Sequence, residues 1–188
     1  MHTILADLGD LLIALLRKEM VPDIIPTPNA IGQCSPADRE NVSLGLYLYD
    51  IRESETVRIN GLQAVGDGQQ TFPPMYLDLY YMLTAYSMSD SRFRASEEQR
   101  ILGRVMQIFR DNPGFSLETM SFEPTTSKKT VRIEMFPLEG TEKVKLWNNP
   151  NLPYRLSLFY KVSPVPLYSA RSFPVKRVKT VDISVNEK

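Results

Sequence analysis

The chain has 188 residues, 43% of them hydrophobic and 23% charged, and its 22 basic side chains balance 22 acidic ones. One globular domain is expected at this length, large enough to bury a core without disulfides or metal. The zero net charge argues against a dedicated nucleic-acid binder, which needs a basic excess to neutralise phosphates, and the single Cys34 excludes an internal disulfide framework or a cysteine-rich zinc site.

Residues 3–19 place Ile4, Leu8, Leu11, Leu12, Leu15 and Leu16 at helical spacing, which predicts an amphipathic helix with an apolar stripe to be covered. The run Leu11–Leu16 lies between Asp7 and Asp10 on one side and Arg17, Lys18 and Glu19 on the other, so it reads as neither a signal peptide nor a membrane span. The chain is expected to be soluble and made in the cytoplasm. Pro22, Pro26 and Pro28 predict an irregular connection over residues 21–40. Val42, Leu44, Leu46 and Leu48 then alternate with Ser43, Gly45, Tyr47 and Tyr49 as in a strand, and residues 53–60 suggest a return strand carrying Val57 and Ile59. Gly66-Asp67-Gly68 reads as a turn and Pro73-Pro74 as the end of a loop.

Residues 75–86 read as the longest strand. Leu77, Leu79, Tyr81, Leu83 and Ala85 share one face, and Tyr76, Asp78, Tyr80, Met82, Thr84 and Tyr86 share the other. Both faces are largely apolar or aromatic, so the strand should be central and covered on both sides, with a partner for Asp78. A second helix is expected from Ser96, with Gln99 at the capping-box spacing, Glu97 and Glu98 offsetting the helix dipole, and a stop at Asn112-Pro113-Gly114. Thr130 to Phe136 predicts a strand, Thr141 to Asn148 a short helix burying Val144 and Trp147, and Tyr154 to Ser163 a strand closed by Pro164 and Pro166. Residues 175–188 form a separate C-terminal segment in which Val175, Lys176, Arg177, Val178, Lys179, Val181, Ile183 and Val185 mix β-branched and charged side chains. They read as an edge strand, a partner-seeking arm or a disordered tail. The expected architecture is an α+β domain over residues 1–174, with a mixed or antiparallel sheet flanked by two main helices.

The residue types needed for catalysis do not come together. His2 is the one histidine and sits at the chain terminus, which removes the Ser-His-Asp and Cys-His arrangements. Cys34 has no base beside it in sequence. Gly66-Asp67-Gly68 lacks the lysine and the strand-to-helix setting of a phosphate loop, and Asn41-Val42-Ser43 is a glycosylation tripeptide by chance. No catalytic, cofactor-binding or metal-ligating residue is therefore expected. The nine tyrosines, clustered on strands, lean instead towards protein contact.

The N-terminal Asp-Leu-Gly-Asp-Leu-Leu-Ile-Ala-Leu-Leu, Leu46-Tyr47-Leu48-Tyr49-Asp50-Ile51-Arg52 and the long run from Pro73 to Tyr86 occur in that order. Leu102-Gly103-Arg104-Val105-Met106-Gln107-Ile108-Phe109 with Asn112-Pro113, then Leu146-Trp147, then Tyr154 to Val165 follow. Together they resemble the cap or sheath-terminator family of extracellular contractile injection systems, over roughly residues 3–178. The resemblance implies a tail-terminator-like fold assembling as a hexameric ring on the distal end of the sheath and inner tube. It implies contacts with sheath protein and with the tube or a tube-terminating protein, none with nucleic acid or membrane, and no catalytic residues. The particle would be assembled in the cytoplasm and released. A terminator or completion protein of a contractile phage tail, and a stand-alone α+β ligand-binding domain, remain open beside it. The segment Val175–Val185 is the candidate interface, as an arm that adds a strand to a neighbour or to the sheath.

Overall fold

The computed structural model describes residues 3–38, 41–64, 68–116, 130–147 and 153–174. Helix α1 (Ile4–Met20) buries Ile4, Leu8, Leu12, Ile13, Leu16 and Met20, while Leu11 and Leu15, expected in the stripe, are half-buried. Asp7 in its first turn and Arg17 and Lys18 in its last complement the helix dipole. A 3₁₀ turn (Pro28–Ala30) leads into strand β1 (Ile31–Gln33), so the connection over 21–40 is not wholly irregular. Its strand is held from outside. The Arg17 guanidinium donates from Nε (3.1 Å) and Nη2 (2.8 Å) to the Ile31 carbonyl, and Gln33 Nε2 donates to Asp10 Oδ1 at 2.8 Å. Helix α1 thereby covers an edge whose carbonyls would otherwise be free to pair with another chain. Gly9 allows that approach, because a Cβ there would collide with the Gln33 side chain.

Strand β2 (Leu44–Glu53) starts two residues after the expected alternation and runs further. Strands β3 (Gln63–Ala64) and β4 (Gln69–Thr71) are short, and β5 (Met75–Ala85) is buried at every position after Met75. Helix α2 (Ser91–Asp111), strands β6 (Gly114–Ser116) and β7 (Thr130–Met135), helix α3 (Gly140–Leu146), β8 (Ser157–Leu167) and β9 (Ser172–Pro174) complete the order. One sheet has the order β1-β2-β5-β8-β7-β6, with β1 parallel to β2 and the other pairs antiparallel; β3-β4-β9 form a small second sheet. The fold is α+β with a mixed sheet, as expected.

Both faces of β5 separate as the alternation predicts. Leu77, Leu79, Tyr81, Leu83 and Ala85 enter the main core with α1 and with Ile101, Leu102, Val105, Ile108 and Phe109 of α2. Met82 and Tyr86 on the other face join Trp147 and Phe159 in a second cluster, with Tyr47, Tyr49, Leu138 and Leu146 packed against it. The aromatic rings interlock edge to face: Phe109 with Tyr160 (4.8 Å), Tyr49 with Phe159 (5.8 Å) and Tyr80 with Phe136 (4.9 Å) between centroids. Each such pair is worth about 0.5–1.5 kcal/mol beyond the area it buries. Asp78 finds the partner it needs in Lys161, whose Nζ lies 3.8 Å from Oδ2, although Oδ1 is buried without a hydrogen bond.

Four local expectations are corrected. No strand forms over 53–60 beyond the last residue of β2; the Ser54 N–H instead donates to the Tyr76 carbonyl (2.7 Å), and β2 takes β5 as its antiparallel partner. Helix α2 begins at Ser91, with Asp90 as its N-cap, so Ser96 and Gln99 lie inside the helix and form no capping box. Val144 is 60% exposed, and Trp147 alone of the expected pair is buried. Strand β8 begins at Ser157 and continues through Pro164 and Pro166. The register explains why those prolines are tolerated. Ser163 is the last β8 residue paired with β7, and a register shift against β5 falls between Leu77 and Leu79, opposite Ser163 and Pro164. A proline is accepted in a strand at such an irregularity or at an unpaired edge. Of the expected turn at 66–68, Gly66 and Asp67 lie outside the described residues, and Gly68 has φ 80°.

Candidate assembly interface

Among the described residues no three His, Cys, Asp or Glu side chains are grouped so as to hold a metal ion, and no helix is long and apolar enough to cross a membrane. His2 lies outside the described residues. Cys34 is half-buried just after β1, its N–H donating to the Leu46 carbonyl at 3.1 Å.

The eight candidate residues between Val175 and Val185 also lie outside the described residues. The chain leads into them from β9, which pairs with β4 at an edge of the small sheet. Phe72 and Phe173 stack edge to face there (5.2 Å) while both stay substantially exposed.

The β5–α2 corner, residues 86–93, is more highly organised than the sequence suggests. The Ser87 and Ser89 hydroxyls both donate to Glu97 Oε2, the Ser89 N–H donates to Ser87 Oγ (3.0 Å), and the Ser87 N–H donates to Glu98 Oε1 (3.2 Å). Arg155 Nη1 donates to the same Glu98 oxygen at 2.7 Å, and its guanidinium lies 5.4 Å over the Tyr86 ring. The hydroxyl donors, Ser87 first and then Ser89, hold the Glu97 carboxyl below the ordinary carboxylate range. Glu97 and Glu98, expected to do no more than offset a dipole on a solvated turn, instead tie a loop and the approach to β8 onto the helix. On that tied corner Met88 is 78% exposed and Phe93 65% exposed. These two exposed apolar side chains make the corner a candidate contact surface.

At the other end of α2 an open groove of about 850 Å³ lies between the helix and β7–β8, lined by Met106, Phe109, Pro113, Ile133, Met135 and Tyr160 with Gln107, Arg110 and Glu134. A smaller cleft of about 330 Å³ separates Leu11, Ala14 and Leu15 of α1 from Phe115. Periodicity missed both, because each is formed by elements far apart in sequence. Among the described residues, the Tyr49 and Tyr81 hydroxyls and the Trp147 indole N–H are buried without hydrogen-bond partners. Burial, with the Asp50 charge adding to it, pushes the Tyr49 phenol up to about 12, so it stays protonated.

The sheet-and-helix arrangement is similar to that of a solved terminator. The cryo-EM structure of the PVC sheath/tube terminator in its extended state, from an extracellular contractile injection system, superposes with a TM-score of 0.65 at 19% identity, over 97% of this chain. The chain thus has a terminator-type α+β fold. It belongs to the Pvc16 N-terminal domain family, whose profile matches residues 7–180. It spans 63% of the length of the PVC terminator. The anti-feeding prophage cap (AFP tube-terminating cap) is similar at 22% identity and a TM-score of 0.49, over 75% of this chain and 48% of the cap. No curated protein matches the chain in sequence.

Proposed function

We propose that the chain is a structural terminator that closes the distal end of the sheath and inner tube of an extracellular contractile injection system. The reading rests on one observation above the rest: membership of the Pvc16 N-terminal domain family across residues 7–180. The terminator fold and the surfaces described above accord with it. The chain acts by contact and makes or breaks no covalent bond. Copies assemble as a hexameric ring over residues 1–174, one side meeting the last sheath subunits and the other the tube or a tube-terminating protein. Such a ring must satisfy the unpaired strand edges of the last sheath layer without presenting an equivalent edge. Residues 175–188 serve as an arm, with Val175, Val178, Val181, Ile183 and Val185 adding a strand to a neighbour or to the sheath.

Electron microscopy of particles from a strain lacking the chain tests this. Overlong sheaths and tubes of scattered length, or sheaths that do not stay extended, are expected. Intact particles of uniform length in that strain would overturn the reading. Deleting residues 175–188 should lower ring formation and sheath capping, and unchanged capping would remove the arm.

A further inference from the structure

A closed ring of identical chains requires two different patches that fit each other, one donated forwards and one backwards. Helix α2 carries such a pair at its two ends. Its 21 residues span about 30 Å, with Met88 and Phe93 projecting at the N-terminal corner and the Met106–Met135 groove at the C-terminal end. We propose that the β5–α2 corner of one copy seats in the groove between α2 and β7 of the next, deepening the ring reading above by naming its contact surface.

Three observations favour a second copy as the occupant. First, the corner is fixed before contact by Glu97, Glu98 and Arg155, so little ordering entropy is lost when it docks. Second, the charges match. Arg92 and Arg94 flank Phe93 at the corner and the groove offers Glu134 as an opposite charge, while Asp90 at the corner has Arg110 in the groove as its counterpart. The positive N-terminal end of one α2 also approaches the negative C-terminal end of the next. Third, both surfaces lie on the same helix, so every copy that offers a corner also offers a groove. Methionine and aromatic side chains on both partners give adaptable apolar packing at the centre of a polar rim.

The test uses two variants of the full chain, Met88→Asp with Phe93→Asp at the corner and Met106→Asp with Met135→Asp in the groove. All four positions are exposed, so both variants should fold, as circular dichroism and melting would verify. Assembly is read by light scattering in solution and by electron microscopy on isolated sheath ends. Each variant alone should fail to form rings, the contact weakening roughly 30-fold or more as for a central hot spot. Mixing the two should give one-to-one pairs and nothing larger, because one intact corner and one intact groove remain. Pairs that stay apart in the mixture, or rings formed by either variant, would overturn the proposal while ring assembly itself stands. Loss of rings in the groove variant and in a chain lacking 175–188, but not in the corner variant, would assign the groove to the tail and overturn it. A wild-type chain that is monomeric at high concentration and inert at sheath ends would overturn both this contact and the ring.

Discussion

Tyr81→Phe should make the protein more stable. Tyr81 sits in the middle of β5, is 1% exposed, and faces the main core beneath α1 and α2. Its hydroxyl is buried with no hydrogen-bond partner, and burial raises the phenol above its ordinary value, so the group is a neutral, desolvated donor. Leaving such a group unsatisfied costs about 1–3 kcal/mol, and removing the oxygen while keeping the ring returns that cost without opening a large cavity. At this chain length each kcal/mol moves the melting temperature by about 2–4 °C, so Tyr81→Phe should melt several degrees higher. Tyr81→Ala, which also deletes the ring, should cost about 3–5 kcal/mol through lost transfer energy and a cavity. Calorimetry or denaturant unfolding of the three proteins measures both differences. A Phe variant destabilised by 1 kcal/mol or more would show that the hydroxyl has a partner and would refute the reasoning.

Breaking the Arg155–Glu98 pair should loosen the corner more than the fold. Both side chains are less than a quarter exposed, so Arg155→Ala leaves a carboxylate with fewer donors at a cost of about 1–3 kcal/mol; faster amide exchange at 87–89 with little change in β5 is the expected signature. Acid should act on the same corner through Glu97. Its hydroxyl donors hold its folded-state value below the ordinary glutamate value, so its contribution is complete above that ordinary value and is lost as pH falls through the lowered one. Glu97→Gln should remove that part of the acid sensitivity in a melting series against pH, and an unchanged profile would count against the double hydroxyl contact.

The central strand could be read from the sequence because its signal is local and strong. Eleven residues with two apolar faces specify a buried strand wherever they occur, and the two clusters sort its side chains as the alternation requires. The edges were less legible. Strand β1 is three residues between prolines, and its position depends on Arg17, fourteen residues away. The start of α2 was misplaced because its first turn carries an exposed Phe93 and no buried stripe, while Ser96 and Gln99 match a capping spacing by coincidence. Pro164 and Pro166 read as a stop because a sequence does not reveal that the β7 side is already unpaired there. The same limit applies to the candidate interface. Single exposed residues such as Met88 look incidental until a hydrogen-bond network shows that their loop is fixed, and a groove made from α2, β7 and β8 has no sequence period at all.

The central claim is that this chain ends a growing polymer. The most direct measurement places it on the particle, by cryo-EM of extended particles carrying a tagged copy. Ring-shaped density with the tag at the end opposite the baseplate, and nowhere along the sheath, is the predicted result. Tag density distributed along the sheath, or particles closed at that end without the chain, would contradict the account.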